Sequence, residues 1–297
     1  MRPQAEQALA PGAAAAALDC LQEYSHLRGA VWQVSEAISE VRRFLQPADD
    51  SICVEIEGRL GVRDQAGFRP DVGASTFETL LGLLNSYPGW LEVTPWQETH
   101  DVFYHIDVPV GAGGKPVRTQ VRSSVAFDAD RKLALQHIVK RKLRTVDLRV
   151  TSLDTAEAGG SSLFAERLAG PSHVRVGVAL EQRVPEELLP VAVTPTLVRI
   201  KQRKRFLLQS LGLQRPAFAV ELSVVYSGDS KTQAEQRQAA AQEASHEVEV
   251  ECLEPLAYLC SCSQQESMLA LSLLLKLHDF CAALNPQAAV SFARAGG

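Results

Sequence analysis

In the stretch Val54-Glu55-Ile56-Glu57-Gly58-Arg59-Leu60, charged and apolar residues alternate almost one by one. Successive side chains on a strand point to opposite faces, so Glu55, Glu57 and Arg59 share one surface while Val54, Ile56 and Leu60 share the other. The segment His246 to Cys252 repeats the arrangement, with Glu247, Glu249 and Glu251 set against Val248, Val250 and Cys252. Val198 to Arg203 places Arg199, Lys201 and Arg203 opposite Val198 and Ile200, and Arg205 continues that face. Two further strands carry fewer charges: Arg175 and Glu181 between Val174 and Glu181, and Glu221 with Ser223 between Val220 and Val224. Stacked carboxylates suit a hard divalent cation, and a row of guanidinium and ammonium groups suits phosphate oxygens.

Any one such strand reads most simply as half-buried, with its charges in water. Several together do not, because like charges side by side repel and need counter-charges. If the strands closed on one another, the shared face would carry seven acids: Glu55, Glu57, Glu181, Glu221, Glu247, Glu249 and Glu251. Against them stand ten bases: Arg59, Arg118, Arg122, Lys140, Lys142, Arg175, Arg199, Lys201, Arg203 and Arg205. That leaves a positive surplus of three, costly in a poorly hydrated interior. A divalent cation on the acids together with a polyphosphate on the bases would neutralise it. Charges facing inward also leave Val, Ile and Leu facing outward, and helices must cover them.

The pattern supplies those elements. Apolar residues at helical intervals from Leu18 to Phe44 predict one or two amphipathic helices, and Ser75 to Leu84 predicts another, capped by Ser75 and ended at Tyr87-Pro88-Gly89. A last helix is predicted over Gln265 to Leu284, its apolar stripe read as core packing. Strands are predicted at Ile52–Arg63, Trp90–Trp96, His100–Val108, Pro116–Phe127, Leu133–Leu143, Val146–Thr151, His173–Arg183, Thr196–Leu208, Ala217–Tyr226 and His246–Glu254. The fold class is mainly β with flanking helices. The longest loops are Asp154 to Pro171 and Ser227 to Ala244. Residues 1–17 read as a low-complexity leader and 18–297 as one domain.

Composition narrows the function. A net charge of −5 argues against a protein that coats nucleic acid, but not against a small concave site for an anionic end. The most apolar segment, Met268 to Leu284, is broken by Lys276, His278 and Asp279, so no membrane span is expected. Six cysteines without a CxxC pair predict reduced, mostly buried thiols, and scattered histidines predict a metal site built on oxygen. Gly111-Ala-Gly-Gly-Lys115 lacks the spacing and the Ser or Thr of a phosphate loop and reads as a hairpin turn.

Four motifs in order, Val54-Glu-Ile-Glu-Gly-Arg-Leu-Gly61, Phe68-Arg-Pro-Asp-Val72, Arg199-Ile-Lys-Gln-Arg203 and Glu247-Val-Glu-Val-Glu251, resemble those of the metal-dependent RNA triphosphatases of fungal and protozoan type, triphosphate tunnel metalloenzymes. The resemblance runs from about Ile52 to Leu284. It implies a closed eight-stranded antiparallel β-barrel, with the two acidic ribbons facing each other across a channel and sharing one Mg2+ or Mn2+. It also implies Glu55, Glu57 and Glu251 as metal ligands, with Glu247 and Glu249 supporting them. Arg199, Lys201 and Arg203 would grip phosphate and Glu181 would orient the attacking water, while Glu221 and Ser223 occupy the places of an acid, more usually aspartate, and a hydroxyl residue. One arginine and one lysine on the middle strands would complete the phosphate site; Arg118 and Arg122 compete for the first role and Lys140 and Lys142 for the second, with Arg122 and Lys140 preferred. The implied substrate is the 5′-triphosphate end of RNA in the first step of mRNA capping in the nucleus. No KxDG motif is evident, so the implied guanylyltransferase is a separate chain, and a homodimer is left open. A small triphosphate or inorganic tripolyphosphate is the rival substrate, although those relatives usually carry lysine where this chain has Arg59. An inactive barrel that binds a partner is the second rival.

Overall fold

The computed structural model describes residues 24–43, 52–108, 117–127, 133–152, 170–189, 194–209, 216–259 and 265–295. Its strands are β1 (Ile52–Asp64), β2 (Gly67–Arg69), β3 (Glu92–Val93), β4 (Gln97–Val108), β5 (Val117–Phe127), β6 (Leu133–Ser152), β7 (His173–Arg183), β8 (Leu197–Gln209), β9 (Pro216–Gly228), β10 (Ser245–Cys252) and β11 (Val290–Arg294). The helices are α1 (Arg28–Ser39), α2 (Ala74–Ser86), α3 (Lys231–Ala239), α4 (Pro255–Leu259) and α5 (Gln265–Leu284).

Eight strands form an antiparallel ring. Neighbours run β10, β9, β8, β4, β5, β6, β7, β1, and β1 pairs back with β10. The alternation read from the sequence sets which face lies where. Val54, Ile56, Leu60, Val174, Val176, Val178, Val248 and Val250 are all buried on the outer surface, within one core that also takes in Val31, Val34 and Ile38 of α1, Phe77 and Leu80 of α2, and Leu269, Leu273 and Leu277 of α5. Each such side chain contributes about 1.5–3 kcal/mol by leaving water. The helices thus replace the water that would otherwise wet the apolar face of the ring. From Glu266 to Leu284, α5 is long and apolar enough to cross a membrane by length and composition; here its leucines pack on the ring and on α1.

Two glycines of the first motif let other parts of the chain come close. A Cβ at Gly58 would meet Leu277 Cδ1 of α5 at 2.5 Å. One at Gly61 would stand 2.2 Å from the Arg69 carbonyl oxygen, so β2 could not fold over β1 as it does. The Phe68–Val72 motif then ties this hairpin to β10: Asp71 Oδ1 accepts from the Gly73 and His246 amides, and Val72 N–H donates to the His246 carbonyl.

Several expectations are corrected. Leu133–Leu143 and Val146–Thr151 are one strand, bent by an irregularity between Lys142 and Arg144. The predicted Ser227–Ala244 loop contains α3, whose N-cap Ser230 accepts from the Gln233 amide. Trp90–Trp96 shrinks to the two residues of β3. Gly73, at φ 78°, caps α2 in place of Ser75. Among the described cysteines Cys252 and Cys281 are buried free thiols, as expected, and Cys53 is an exposed one. The leader at residues 1–17, the Asp154–Pro171 loop beyond its last two residues and the Gly111–Lys115 turn lie outside the described residues.

Candidate functional site

The acidic strands are neighbours. Glu57 of β1 is the register partner of Glu251 of β10, and Arg59 that of Glu249. The two ribbons therefore lie side by side and close the ring, which corrects the expectation that they face each other across it. Their charges point to the concave side. Lys140 of β6 reaches over β7 to Glu57 Oε1 at 3.0 Å and also contacts Glu55 Oε2. Arg122 of β5 reaches over β6 to Glu181 of β7 at 3.0 Å, and Arg199 of β8 reaches over β9 to Glu247 of β10 at 2.5 Å. Alternate strands lie roughly 10 Å apart, so these long side chains tie together strands that share no backbone ladder.

Every remaining acid inside is matched. Arg59 binds Glu57 at 2.9 Å and Glu249 at 3.1 Å. Arg205 binds Glu251 at 2.7 Å and, with Arg203, lies 3.5 Å from Glu221. Ser223 donates to Glu221 at 3.2 Å. The longer Glu221 side chain thus sits between two guanidinium groups and a hydroxyl, a place the sequence left open. Thr99, Asp101, Arg122, Ser124, Ala126, Gln136, Lys201 and Arg203 line a cavity of about 160 Å³ in this interior.

Two acids were not foreseen. Asp101 of β4, 2% exposed, takes Lys201 Nζ at 2.8 Å and the Ser124 hydroxyl at 2.6 Å. Its parity, shared with Thr99 and opposite to Val102, Tyr104 and Ile106, could have placed it on the charged face. Asp147 of β6 accepts two bonds from Arg175, at 2.6 and 2.8 Å. Counting both raises the acids from seven to nine and narrows the positive surplus.

The candidates on the middle strands separate by position. Arg122 and Lys140 lie among the acids, whereas Arg118 and Lys142 are exposed and pair with no acid among the described residues. Arg175 is committed elsewhere: besides Asp147 it stacks on the Phe68 ring, 4.4 Å from its centroid. It braces the β1–β2 hairpin at one end of the ring.

The crowding shifts ionisation. Burial, then the charge of Glu57, pushes the Glu55 carboxyl up to about 7. Burial also raises Glu249 to about 7 despite Arg59, and raises Glu251 despite Arg205. Burial opposes the charge on Glu57 as well, but Arg59 and Lys140 outweigh it and hold that carboxyl at about 2. A carboxyl raised on folding stabilises the fold fully below its unfolded value, near 4.5, and this contribution is lost as pH climbs through about 7. Glu57 acts in the opposite sense and only at lower pH. The melting temperature of metal-free protein is therefore expected to fall between about pH 5 and pH 8, and Glu55→Gln to fall less steeply, because glutamine does not titrate. Parallel curves for the two proteins would contradict the assignment.

Among the described residues no three acidic, histidine or cysteine side chains converge as a ready metal cage, since Lys140 and Arg205 hold the carboxylates. The donor set still fits a hard divalent ion. Glu55, Glu57 and Glu251 are anionic oxygen donors on adjacent strands, and two of the three resist ionisation with only the chain's own cations beside them.

No protein-family model matches the chain and no curated protein matches it in sequence. Solved structures do match in fold. One described as the RNA triphosphatase Pct1 of S. pombe aligns at TM-score 0.51 with 15% identity, over 83% of this chain and 91% of that one. The same protein in complex with the Spt5 CTD aligns at 0.50, also at 15% identity and the same coverage. A Mimivirus capping enzyme triphosphatase aligns at 0.45 with 11% identity, over 84% of this chain and 96% of that one.

Proposed function

We propose that this chain is a metal-dependent RNA 5′-triphosphatase whose eight-stranded ring acts as a closed barrel. The observation that carries the reading is the pairing of β1 with β10, which sets Glu55, Glu57 and Glu251 on one wall with the cations of β8 two strands away. The fold likeness to the S. pombe RNA triphosphatase supports it.

Glu55, Glu57 and Glu251 would hold Mg2+ or Mn2+, with Glu247 and Glu249 behind them. When bound, the ion supplies positive charge against the terminal phosphate. Arg199, Lys201 and Arg203 bind the phosphate oxygens, with Arg122, Lys140 and Arg59 around them, and stabilise the charge that spreads over the terminal phosphoryl group. Glu181 orients a water in line with the bond between that phosphorus and its bridging oxygen. The water oxygen bonds to phosphorus, the bridging P–O bond breaks, and its electrons leave with the diphosphate end. Inorganic phosphate departs with the remaining proton exchanged to solvent. Glu221, itself bonded by the Ser223 hydroxyl, positions Arg203.

In this reading the RNA product feeds a guanylyltransferase on another chain, in the nucleus. The test compares phosphate release from triphosphate-ended RNA, free nucleoside triphosphate and tripolyphosphate, each with and without Mg2+ or Mn2+. Metal-dependent release with RNA preferred is expected; release from tripolyphosphate alone would transfer the reading to a small-substrate hydrolase, and no release from any of them would point to a binding scaffold.

A further inference from the structure

We propose that Lys140 and Arg205 are stand-in cations: they neutralise the metal-ligating carboxylates while no metal is bound, and the arriving metal releases them to the phosphates. The inference rests on the reading that Glu55, Glu57 and Glu251 hold the metal. Lys140 bridges Glu55 and Glu57, and Arg205 takes Glu251, so two cations of the chain cover all three ligands. A metal on these ligands would leave Lys140 with no acid partner and Arg205 with only a long contact. Lys140 has no acid other than Glu55 and Glu57 among the described residues. Arg205 keeps only Glu221, at 3.5 Å and shared with Arg203. Lys201 differs, because its partner Asp101 is not one of the ligands.

A divalent ion on these carboxylates removes the attraction that holds both cations. A flexible ammonium stem and a long guanidinium arm can then turn to phosphate oxygens within the same interior. Metal and polyphosphate are thereby linked: each binds better after the other, because binding exchanges one set of ion pairs for another and leaves no charge unpaired. Arg205 becomes a phosphate-binding residue in addition to those already placed.

The variants Lys140→Met and Arg205→Met should show changes of opposite sign. Each is expected to bind Mn2+ alone about tenfold more tightly than the unaltered chain, because the metal no longer competes with a resident cation. At saturating Mn2+, each is expected to bind tripolyphosphate about tenfold more weakly. Lys201→Met removes the same charge from the ring without freeing a ligand, and its Mn2+ affinity is expected to change less than about threefold. Titration of Mn2+ by electron paramagnetic resonance and of tripolyphosphate by calorimetry gives both constants. If Lys140→Met fails to fold with Glu55 unpaired and Glu57 left to Arg59, Arg205→Met carries the test, since the Glu251 side chain is 38% exposed. Mn2+ affinity unchanged or weakened in the variants, in a protein that still hydrolyses its substrate with Mn2+, overturns this proposal and leaves the metal reading standing. Absence of Mn2+ binding by every form overturns both.

Discussion

Replacing Glu55 by alanine is expected to lower metal-dependent phosphate release about a thousandfold or more while the protein melts close to the unaltered chain. Its carboxyl is disfavoured as an anion by its surroundings, pushed up to about 7 by burial and by Glu57. Removing it relieves that crowding, and Lys140 keeps Glu57 as its partner. The ring should therefore stand while losing an oxygen donor that the catalytic metal requires. Release measured with triphosphate-ended RNA and Mn2+, alongside a thermal melt, checks both halves. Near-normal release from a folded variant would remove Glu55 from the ligand set.

Asp101→Ala is expected to harm stability and turnover together, at about 3 kcal/mol and about a hundredfold. The carboxylate is 2% exposed and is the acid that pairs with Lys201, itself a phosphate-binding residue in the proposed mechanism. Alanine leaves that ammonium half-buried without a counter-charge and the Ser124 hydroxyl without its acceptor. Asp101→Asn keeps an acceptor for Ser124 but not the charge, so it should regain part of the stability and little of the rate. Urea unfolding and steady-state kinetics on the two variants separate the effects. Full activity in Asp101→Ala would show that Lys201 needs no positioning.

The alternation of charged and apolar residues was the most informative feature of the sequence, because a period of two assigns each side chain to a face without knowledge of the neighbours. It placed Glu55, Glu57, Arg199, Lys201, Glu247 and Glu251 on the concave side and Val54, Ile56, Val248 and Val250 under the helices. It could not say which strands touch. That β1 and β10 are paired, rather than opposed, depends on contacts nearly two hundred residues apart that no local pattern records. Parity also fails across an irregularity. The break between Lys142 and Arg144 turns odd-numbered Asp147 to the side occupied by even-numbered Lys140, so counting along the chain puts Asp147 on the wrong face. Asp101 was overlooked for a different reason: on its face of β4 the next acid, Asp107, stands six residues away, too far to raise a like-charge conflict that draws notice. The strands β2 and β11 escaped because they are short and gain their stability from the ring, not from their own composition.

The most direct measurement follows the products formed from RNA labelled in its terminal phosphate. Mn2+ is expected to release the label as inorganic phosphate and leave a 5′-diphosphate end, and chelating the metal is expected to stop the reaction. Label released as pyrophosphate, release that persists after chelation, or RNA left with its triphosphate intact would contradict it.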